Sequence, residues 1–146
     1  MDPVLALSIT GGIVLLAAIV GAVWKLTTGR RRAASGETFA PGDLPGLDEL
    51  APGATLVQFS TEFCATCPGT RRYLQQVAGE RGGVTHIDVD LTHRPELAKS
   101  LRILQTPTVF VLDPSGRLES RFGGAPRRDE LTAVLDRLVP TPEWNL

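Results

Sequence analysis

Cysteine and histidine are scarce in this sequence, whose 146 residues include only two of each. A secreted domain stabilised by disulfides normally carries four or more cysteines spread along the chain, so that class of protein is excluded. The two cysteines, Cys64 and Cys67, lie three positions apart and cannot close a long loop. With His86 and His93 as the only histidines, the chain also lacks the soft ligands of a convincing zinc site. We therefore expect no bound metal.

Net charge is also small, at −1 for the whole chain. Residues 33–146 hold 11 of the 15 basic and 15 of the 16 acidic side chains, so this part carries a charge of −4. Nucleic-acid binding requires a positive field that neutralises phosphates. We expect no nucleic-acid partner.

Charged side chains are absent from residues 4–24, VLALSITGGIVLLAAIVGAVW. As a helix, this segment spans about 30 Å, which matches the hydrocarbon core of a bilayer. Trp24 and Lys25 then stand where an interfacial ring and a cation are expected. The alternative is a cleaved signal peptide, which requires basic residues before a shorter apolar stretch. We predict instead a retained anchor that contacts the lipid bilayer through residues 4–26.

Four basic residues follow this segment and none precedes it. Because such residues stay on the cytoplasmic side of a membrane, the asymmetry predicts a cytoplasmic globular domain. The four residues are Lys25, Arg30, Arg31 and Arg32.

The composition changes after the anchor. Residues 27–53 are rich in Gly, Pro, Ala and charge, which is typical of a linker. Leucines 44, 47 and 50 have helical spacing, so a short docked helix is possible there. We predict an anchor over 1–26, a linker over 27–53, a globular domain over 54–140 and a C-terminal tail over 141–146.

The globular domain alternates between strand and helix patterns. Because strands and helices alternate, we expect an α/β fold of three layers, with helices on both faces of a mixed sheet. The predicted strands are 55–60, 84–89, 108–112 and 117–122, the predicted helices are 64–80, 95–101 and 129–139, and a turn is predicted at 113–116.

The cysteine pair follows the first of these strands and opens the first helix. At that position Cys64 would lie at the helix amino terminus, where free N–H groups and the helix dipole favour an anion. This lowers the pKa of its thiol and makes Cys64 the predicted nucleophile. Cys67, one turn deeper, would be shielded and would resolve the mixed disulfide. A CxxC pair can instead be half of a zinc site or redox-inert, and the spacing alone leaves both alternatives open.

Several motifs together resemble the thioredoxin family. LVQFSTEFCATC is similar to the family's first strand, the aromatic residue before the motif, and the motif itself. Thr106-Pro107-Thr108 resembles the family's cis-proline loop, and Phe122-Gly123-Gly124 its glycine-bearing loop. The resemblance covers about residues 55–139. It implies a thioredoxin-like fold without a cofactor other than a redox-active Cys64–Cys67 disulfide, and a substrate groove formed by Phe63, Ala65, Thr66, Thr106, Pro107 and Gly123.

Two positions depart from the family pattern. Gln58 stands where the family usually has a buried Asp that helps to deprotonate the deeper thiol, and His86 stands where it has a Lys. We hypothesise that His86, which titrates near neutrality, or Glu62 through water assists Cys67. The alternative is that His86 is an ordinary half-exposed strand residue. The dipeptide Ala65-Thr66 also differs from the family's common Gly-Pro, which affects the redox potential.

These features predict a thiol–disulfide oxidoreductase tethered to a bacterial cell membrane by one pass. Within the family, the chain looks most like membrane-tethered thioredoxin-like proteins of actinobacteria. Expected substrates are protein disulfides or persulfides, and an upstream reductase or a membrane dithiol carrier is expected to supply electrons. Two alternatives remain: an outward-facing domain acting on envelope proteins, and a non-catalytic binding module with the same fold.

Overall fold

The computed structural model describes residues 2–27, 31–33 and 36–139. The predicted tail, 141–146, lies outside them, as do Arg30 and parts of the predicted linker. The helices are α1 (Pro3–Thr27), α2 (Cys67–Glu80), α3 (Pro95–Ser100) and α4 (Arg128–Leu138). The strands are β1 (Arg31–Ala33), β2 (Ala54–Ser60), β3 (Val84–Asp90), β4 (Thr108–Leu112) and β5 (Leu118–Gly123).

The strands form one mixed sheet in the order β1-β5-β4-β2-β3. Strand β2 is parallel to β3 and antiparallel to β4, and the pairs β4–β5 and β1–β5 are also antiparallel. All seven residues of β2 are buried, as expected for a mostly apolar strand covered on both faces. The predicted mixed sheet is confirmed.

Helices cover both faces of this sheet, which confirms the three-layer α/β fold. Successive side chains of a strand point to opposite faces. Accordingly, Val57 and Phe59 belong to one core cluster, to which Leu97 and Leu101 also pack. Leu56 belongs to the other cluster, which includes Leu74 of α2 and the α4 residues Leu131, Val134 and Leu135. The α3 layer and the α2–α4 layer therefore hold the sheet between them.

Most predicted element boundaries agree with the structure to within one residue. The helix predicted from residue 64 is the exception, because α2 begins at Cys67. The cause of this shift is Pro68, which directly follows Cys67.

Residues 36–53, which were predicted to be part of a linker, pack against the domain in the structure. Phe39, Leu44 and Leu47 from this segment are buried in the same cluster as Phe59. The segment is fixed to the sheet because the Phe39 N–H donates to the Gly116 carbonyl (2.8 Å) and the Leu118 N–H to that of Glu37 (2.8 Å). Gly116 has a φ of 82°, and a Cβ there would lie 2.0 Å from the Phe39 oxygen, so the contact requires glycine.

The leucines of this segment dock without forming a helix. Residues 41–46 are turns and bends, as suits a stretch that contains Pro41, Gly42, Pro45 and Gly46. Turn bonds close the segment, from the Gly42 N–H to the Leu47 carbonyl and from the Leu47 N–H to the Leu44 carbonyl. The helical spacing of the leucines therefore did not predict their backbone conformation.

Helix α1 is long and apolar enough to cross a membrane. The qualifying stretch, Leu7–Lys25, has a mean hydropathy of 2.2, and none of it is buried within the described part of the chain. An apolar helix near an amino terminus is either a membrane span or a signal sequence. The described apolar side chains of this helix, such as Ile13 and Leu16, are exposed rather than buried in the domain core.

Replacing Leu47 with Ala tests whether the segment before β2 belongs to the folded unit. Leu47 is fully buried, so we expect Leu47→Ala to lower the free energy of unfolding by about 3 kcal/mol. Urea denaturation followed by circular dichroism measures this change. The matched control is Leu104→Ala at a leucine that is 93% exposed, where the loss should stay below about 0.5 kcal/mol. Equal effects of the two substitutions would contradict the described packing.

Candidate active site

The two cysteines lie where the end of β2 turns into α2. They are joined in a disulfide, with a Cα–Cα distance of 5.4 Å. Residues 61–66 form the connecting turn, in which the Cys64 N–H donates to the Thr61 carbonyl (3.2 Å) and the Cys67 N–H to the Cys64 carbonyl (3.3 Å). The predicted small disulfide ring is therefore present.

Helix α2 begins three residues later than predicted because of Pro68. A helix that began at Cys64 would need a bond from the N–H of residue 68 to the Cys64 carbonyl, and proline has no N–H. Proline is instead favoured in the first turn, and here it directly follows Cys67. Cys64 is thus not helical, and Cys67 is the first helical residue rather than one turn deeper. The Cys64 sulfur still lies at the positive end of the helix, since it is bonded to the sulfur of the first helical residue.

The two cysteines differ in their access to solvent. Cys64 is partly exposed, whereas Cys67 is 2% exposed. The Cys64 sulfur also lies 3.8 Å from the Thr66 hydroxyl, a polar neighbour on the exposed side of the ring. An incoming sulfur can therefore reach Cys64 and not Cys67.

The residues of the predicted groove come together at this end of the sheet. Phe63, Ala65 and Thr66 are exposed around the disulfide, and the peptide bond between Thr106 and Pro107 is cis, as the resemblance implies. The hydroxyls of Thr61 and Thr106 are 3.3 Å apart, so the proline loop lies against the cysteine turn.

Gly123 is connected to the cysteine turn through pairs of residues on neighbouring strands. It pairs with Thr108, which in turn pairs with Phe59 of β2. The neighbouring Gly124 N–H donates to the Pro107 carbonyl (2.8 Å), which fixes the two loops to each other. The cysteine turn, the proline loop and the end of β5 are thus neighbours at one end of the sheet.

Gln58 contacts the buried cysteine directly. Its side chain is fully buried, and its Nε2 donates to the Cys67 carbonyl (3.1 Å). Its Oε1 is also buried and has no partner among the described residues. Because an amide does not titrate, Gln58 positions the start of α2 and cannot accept the proton of Cys67.

A carboxylate that the sequence analysis missed lies one strand across. Asp88 pairs in register with Gln58, and its Oδ1 accepts a hydrogen bond from the Ser60 hydroxyl (2.8 Å). Its other oxygen forms an ion pair with Arg71 of α2. The alternation of VTHIDVD places His86, Asp88 and Asp90 on one face of β3, and this pattern could have identified Asp88 from the sequence.

The two residues predicted to transfer protons, His86 and Glu62, do not contact the cysteine sulfurs through hydrogen bonds of their side chains among the described residues. His86 pairs with Leu56, two residue pairs further from the cysteines than Asp88, and its Nε2 is buried without a partner among the described residues. Burial lowers its pKa below the ordinary value, and the Arg71 charge acts in the same direction, while Asp88 opposes it. Glu62 is exposed, and its backbone N–H donates to the Thr92 hydroxyl (3.0 Å). Within the described ranges, no hydrogen bond joins either side chain to a cysteine sulfur.

Metal ligands do not cluster in the part of the chain that the structure describes. No group of three His, Cys, Asp or Glu side chains there is arranged to hold a metal ion. Both cysteine sulfurs are already engaged with each other.

Comparison with known proteins gives the same family as the motifs. The model of the family described as Thioredoxin matches residues 48–137. The chain belongs to the thioredoxin family. Similar family members include the thioredoxin of Chlamydia trachomatis, 28% identical over 90 residues, which cover 62% of this chain and 87% of the relative. The thioredoxin of Staphylococcus saprophyticus is 24% identical over 91 residues, with 62% and 86% covered.

Solved structures of thioredoxins show the same fold. Chlamydomonas reinhardtii thioredoxin f2 aligns with a TM-score of 0.54 and 24% identity, covering 63% of this chain and 84% of that one. Fasciola hepatica thioredoxin aligns with a TM-score of 0.51 and 22% identity, covering 60% and 83%. Family membership and the paired cysteines together make this thioredoxin-family chain a thiol–disulfide oxidoreductase.

Substituting His86 tests its buried environment through the pH dependence of stability. In the unfolded chain its imidazole gains a proton as the pH falls through about 6.5, whereas the folded state resists protonation. The unfolded state then binds more protons, so the free energy of unfolding falls as the pH drops below about 6.5. We expect His86→Gln to reduce this loss, as measured by urea denaturation between pH 7.5 and 5. The matched control is His93→Gln, at an exposed histidine.

An unchanged stability profile in His86→Gln would contradict the burial of the imidazole. The predicted role of His86 in proton transfer is tested separately by the pH profile of the exchange rate in His86→Ala. If that profile matches the wild type, His86 takes no part in the chemistry.

Proposed function

We propose that this chain is a membrane-tethered oxidoreductase that reduces protein disulfides, with Cys64 as the attacking thiol and Cys67 as the resolving thiol. The observation that carries the proposal is the difference in access within one disulfide. Cys64 is partly exposed at the positive end of α2, and Cys67 is buried beneath it. A substrate sulfur can therefore form a bond with Cys64, after which only Cys67 is close enough to break it.

The proposed reaction transfers two electrons from the reduced cysteine pair to the substrate. The Cys64 thiolate attacks one substrate sulfur, so a Cys64–substrate bond forms, the substrate disulfide breaks and one substrate thiolate leaves. Cys67 then loses its proton and attacks the Cys64 sulfur, which closes the Cys64–Cys67 ring and releases the second substrate thiol. A persulfide substrate would be reduced by the same two steps, which would release a thiol and hydrogen sulfide. A separate reductase or a membrane dithiol carrier must return the two electrons.

The tether is part of the proposal. Helix α1 has the length and hydropathy of a membrane span, and its first turn carries no acidic residue while Lys25 lies in its last. Basic residues concentrated after the helix favour a domain on the cytoplasmic side, where thiols are kept reduced. This arrangement supports the likeness to membrane-tethered thioredoxin-like proteins of actinobacteria.

Removing the resolving thiol tests the chemistry. We expect Cys67→Ser, reduced and mixed with insulin as a disulfide substrate, to accumulate a mixed disulfide through Cys64, because the second step is blocked. Non-reducing gel electrophoresis with mass spectrometry measures the product. The matched control is Cys64→Ser, whose remaining thiol is buried and should yield at least about tenfold less adduct. If neither variant forms an adduct and the wild-type pair does not cycle with dithiothreitol, the protein is a non-catalytic binding module.

Labelling in spheroplasts tests the side of the membrane on which the domain lies. Cys67→Ser leaves one accessible thiol, and we expect a membrane-impermeant maleimide to modify it only after the membrane is permeabilised with detergent. Mass-tag gel shifts measure the modified fraction. Modification in intact spheroplasts would show an outward-facing domain that acts on envelope proteins. Extraction of the unlabelled chain by alkaline carbonate would contradict the tether itself.

A further inference from the structure

The short strand β1 connects the anchor to the active-site end of the sheet. Its first residue, Arg31, pairs with Phe122 near the end of β5. The next residue of β5, Gly123, pairs with Thr108, and Thr108 pairs with Phe59 of β2. The cross-strand pairs that begin at β1 therefore lead across the sheet to the end of β2, the strand that runs into the cysteine turn.

Chain length keeps this attachment point close to α1. The last residue of α1 is Thr27, and four Cα–Cα steps to Arg31 span at most about 15 Å. From Arg31 to β2 is a further three strand spacings, again about 15 Å. Leu118, at the opposite end of β5, is four residues from Phe122, which places that end about 14 Å from Arg31 along the strand. The disulfide thus belongs to the end of the sheet at which the segment after α1 attaches.

The surface around the disulfide is also the apolar surface of the domain. Outside α1, the exposed large hydrophobic residues among those described are Phe63 and Leu104, which are 87% and 93% exposed. Phe63 is two residues from Thr61, and Leu104 is two residues from Thr106, whose hydroxyls lie 3.3 Å apart. Phe63 and Leu104 therefore belong to the two loops that meet beside the disulfide, at the end of the sheet that β1 joins to α1.

We propose that the active-site end of the domain faces the bilayer and that its substrate is a disulfide of an integral membrane protein, held close to the lipid surface. This inference rests on the tether in the proposed function. A lipid surface alone offers no sulfur for the exchange, whereas a membrane-embedded partner offers both a disulfide and apolar contacts for Phe63 and Leu104. The anchor confines both reactants to one plane and raises their effective concentration. The two-electron exchange itself is unchanged.

Reduction rates in vesicles test the substrate class. The full-length reduced protein is placed in vesicles of phosphatidylcholine and phosphatidylglycerol together with a single-span peptide that carries a disulfide-linked fluorophore. In one peptide the disulfide lies next to the apolar stretch, and in the other it is raised by a rigid helical spacer of about 40 Å. We expect the surface disulfide to be reduced at least about tenfold faster than the raised one.

An insertion provides the matched control. About 20 Gly and Ser residues placed after Thr28 add roughly 25 Å of flexible reach and should bring the two rates within about twofold. A small water-soluble disulfide should react equally with both proteins, so loss of that reaction would instead indicate failure of the cysteine chemistry. Equal rates for the two peptides with the wild-type tether, alongside normal reduction of the soluble disulfide, would overturn this inference and leave the proposed chemistry intact.

A distance measurement tests the orientation without an insertion. A donor fluorophore is attached at Cys64 in Cys67→Ser, or at residue 82 in Gly82→Cys combined with Cys64→Ser and Cys67→Ser. Gly82 is exposed, has open space for a side chain, and lies beside the start of β3 at the opposite end of the sheet. Energy transfer to acceptors on lipid headgroups should be stronger from residue 64. Equal or stronger transfer from residue 82 would overturn the orientation, and failure of the chain to float with vesicles would overturn both the tether and this inference.

Discussion

The position of one sulfur at the positive end of a helix is the constraint on which the rest of this structure depends. The amino end of α2 carries the partial positive charge of the helix dipole, which favours a thiolate over a thiol. Pro68 fixes that end at Cys67, because a proline cannot donate the bond that would extend the helix back to Cys64. Cys64 is therefore held in a turn, outside the helix but bonded to its first residue. This geometry supports the proposed role of Cys64 as the attacking thiol.

The two cysteine sulfurs have different surroundings. Cys67 is enclosed by the sheet and by α2, and the Gln58 amide donates to its carbonyl. An amide at this position adds no buried charge, so the fold avoids the desolvation cost of a buried carboxylate. The Asp88 carboxylate, which is balanced by Arg71 and bonded to Ser60, lies on the neighbouring strand, in register with Gln58.

Local patterns were sufficient to predict the elements that form the site. The apolar run of β2, the alternation of β3 and the Pro-Ser-Gly turn before β5 specify strands that the structure confirms to within one residue. The cysteine spacing allowed a disulfide, and the resemblance implied both that disulfide and the cis bond at Pro107. The start of α2 was predicted wrongly, although the missing N–H of Pro68 gives a sufficient local reason for the later start.

Long-range contacts explain what the sequence did not reveal. Phe39, Leu44 and Leu47 are scattered among glycines and prolines, a composition typical of a linker, and the helical spacing of the leucines predicts a helix that does not form. They become core residues because the sheet provides an apolar surface beside Phe110 and Phe59, which no local pattern encodes. The pairing of Arg31 with Phe122 spans about ninety residues of sequence, and no local pattern predicts it either. Yet the proposed orientation of the domain at the membrane depends on this pairing.

The ionisation of the Cys64 thiol in the reduced protein tests the central claim most directly. The rate of its alkylation by iodoacetamide, followed residue by residue with mass spectrometry across pH, reports the fraction of thiolate. We expect the Cys64 rate to reach half its maximum at a pH well below 8.5, the ordinary value for a cysteine pKa, and Cys67 to react far more slowly. A midpoint at or above about 8.5 for Cys64 would contradict the stabilisation of the anion by the helix end.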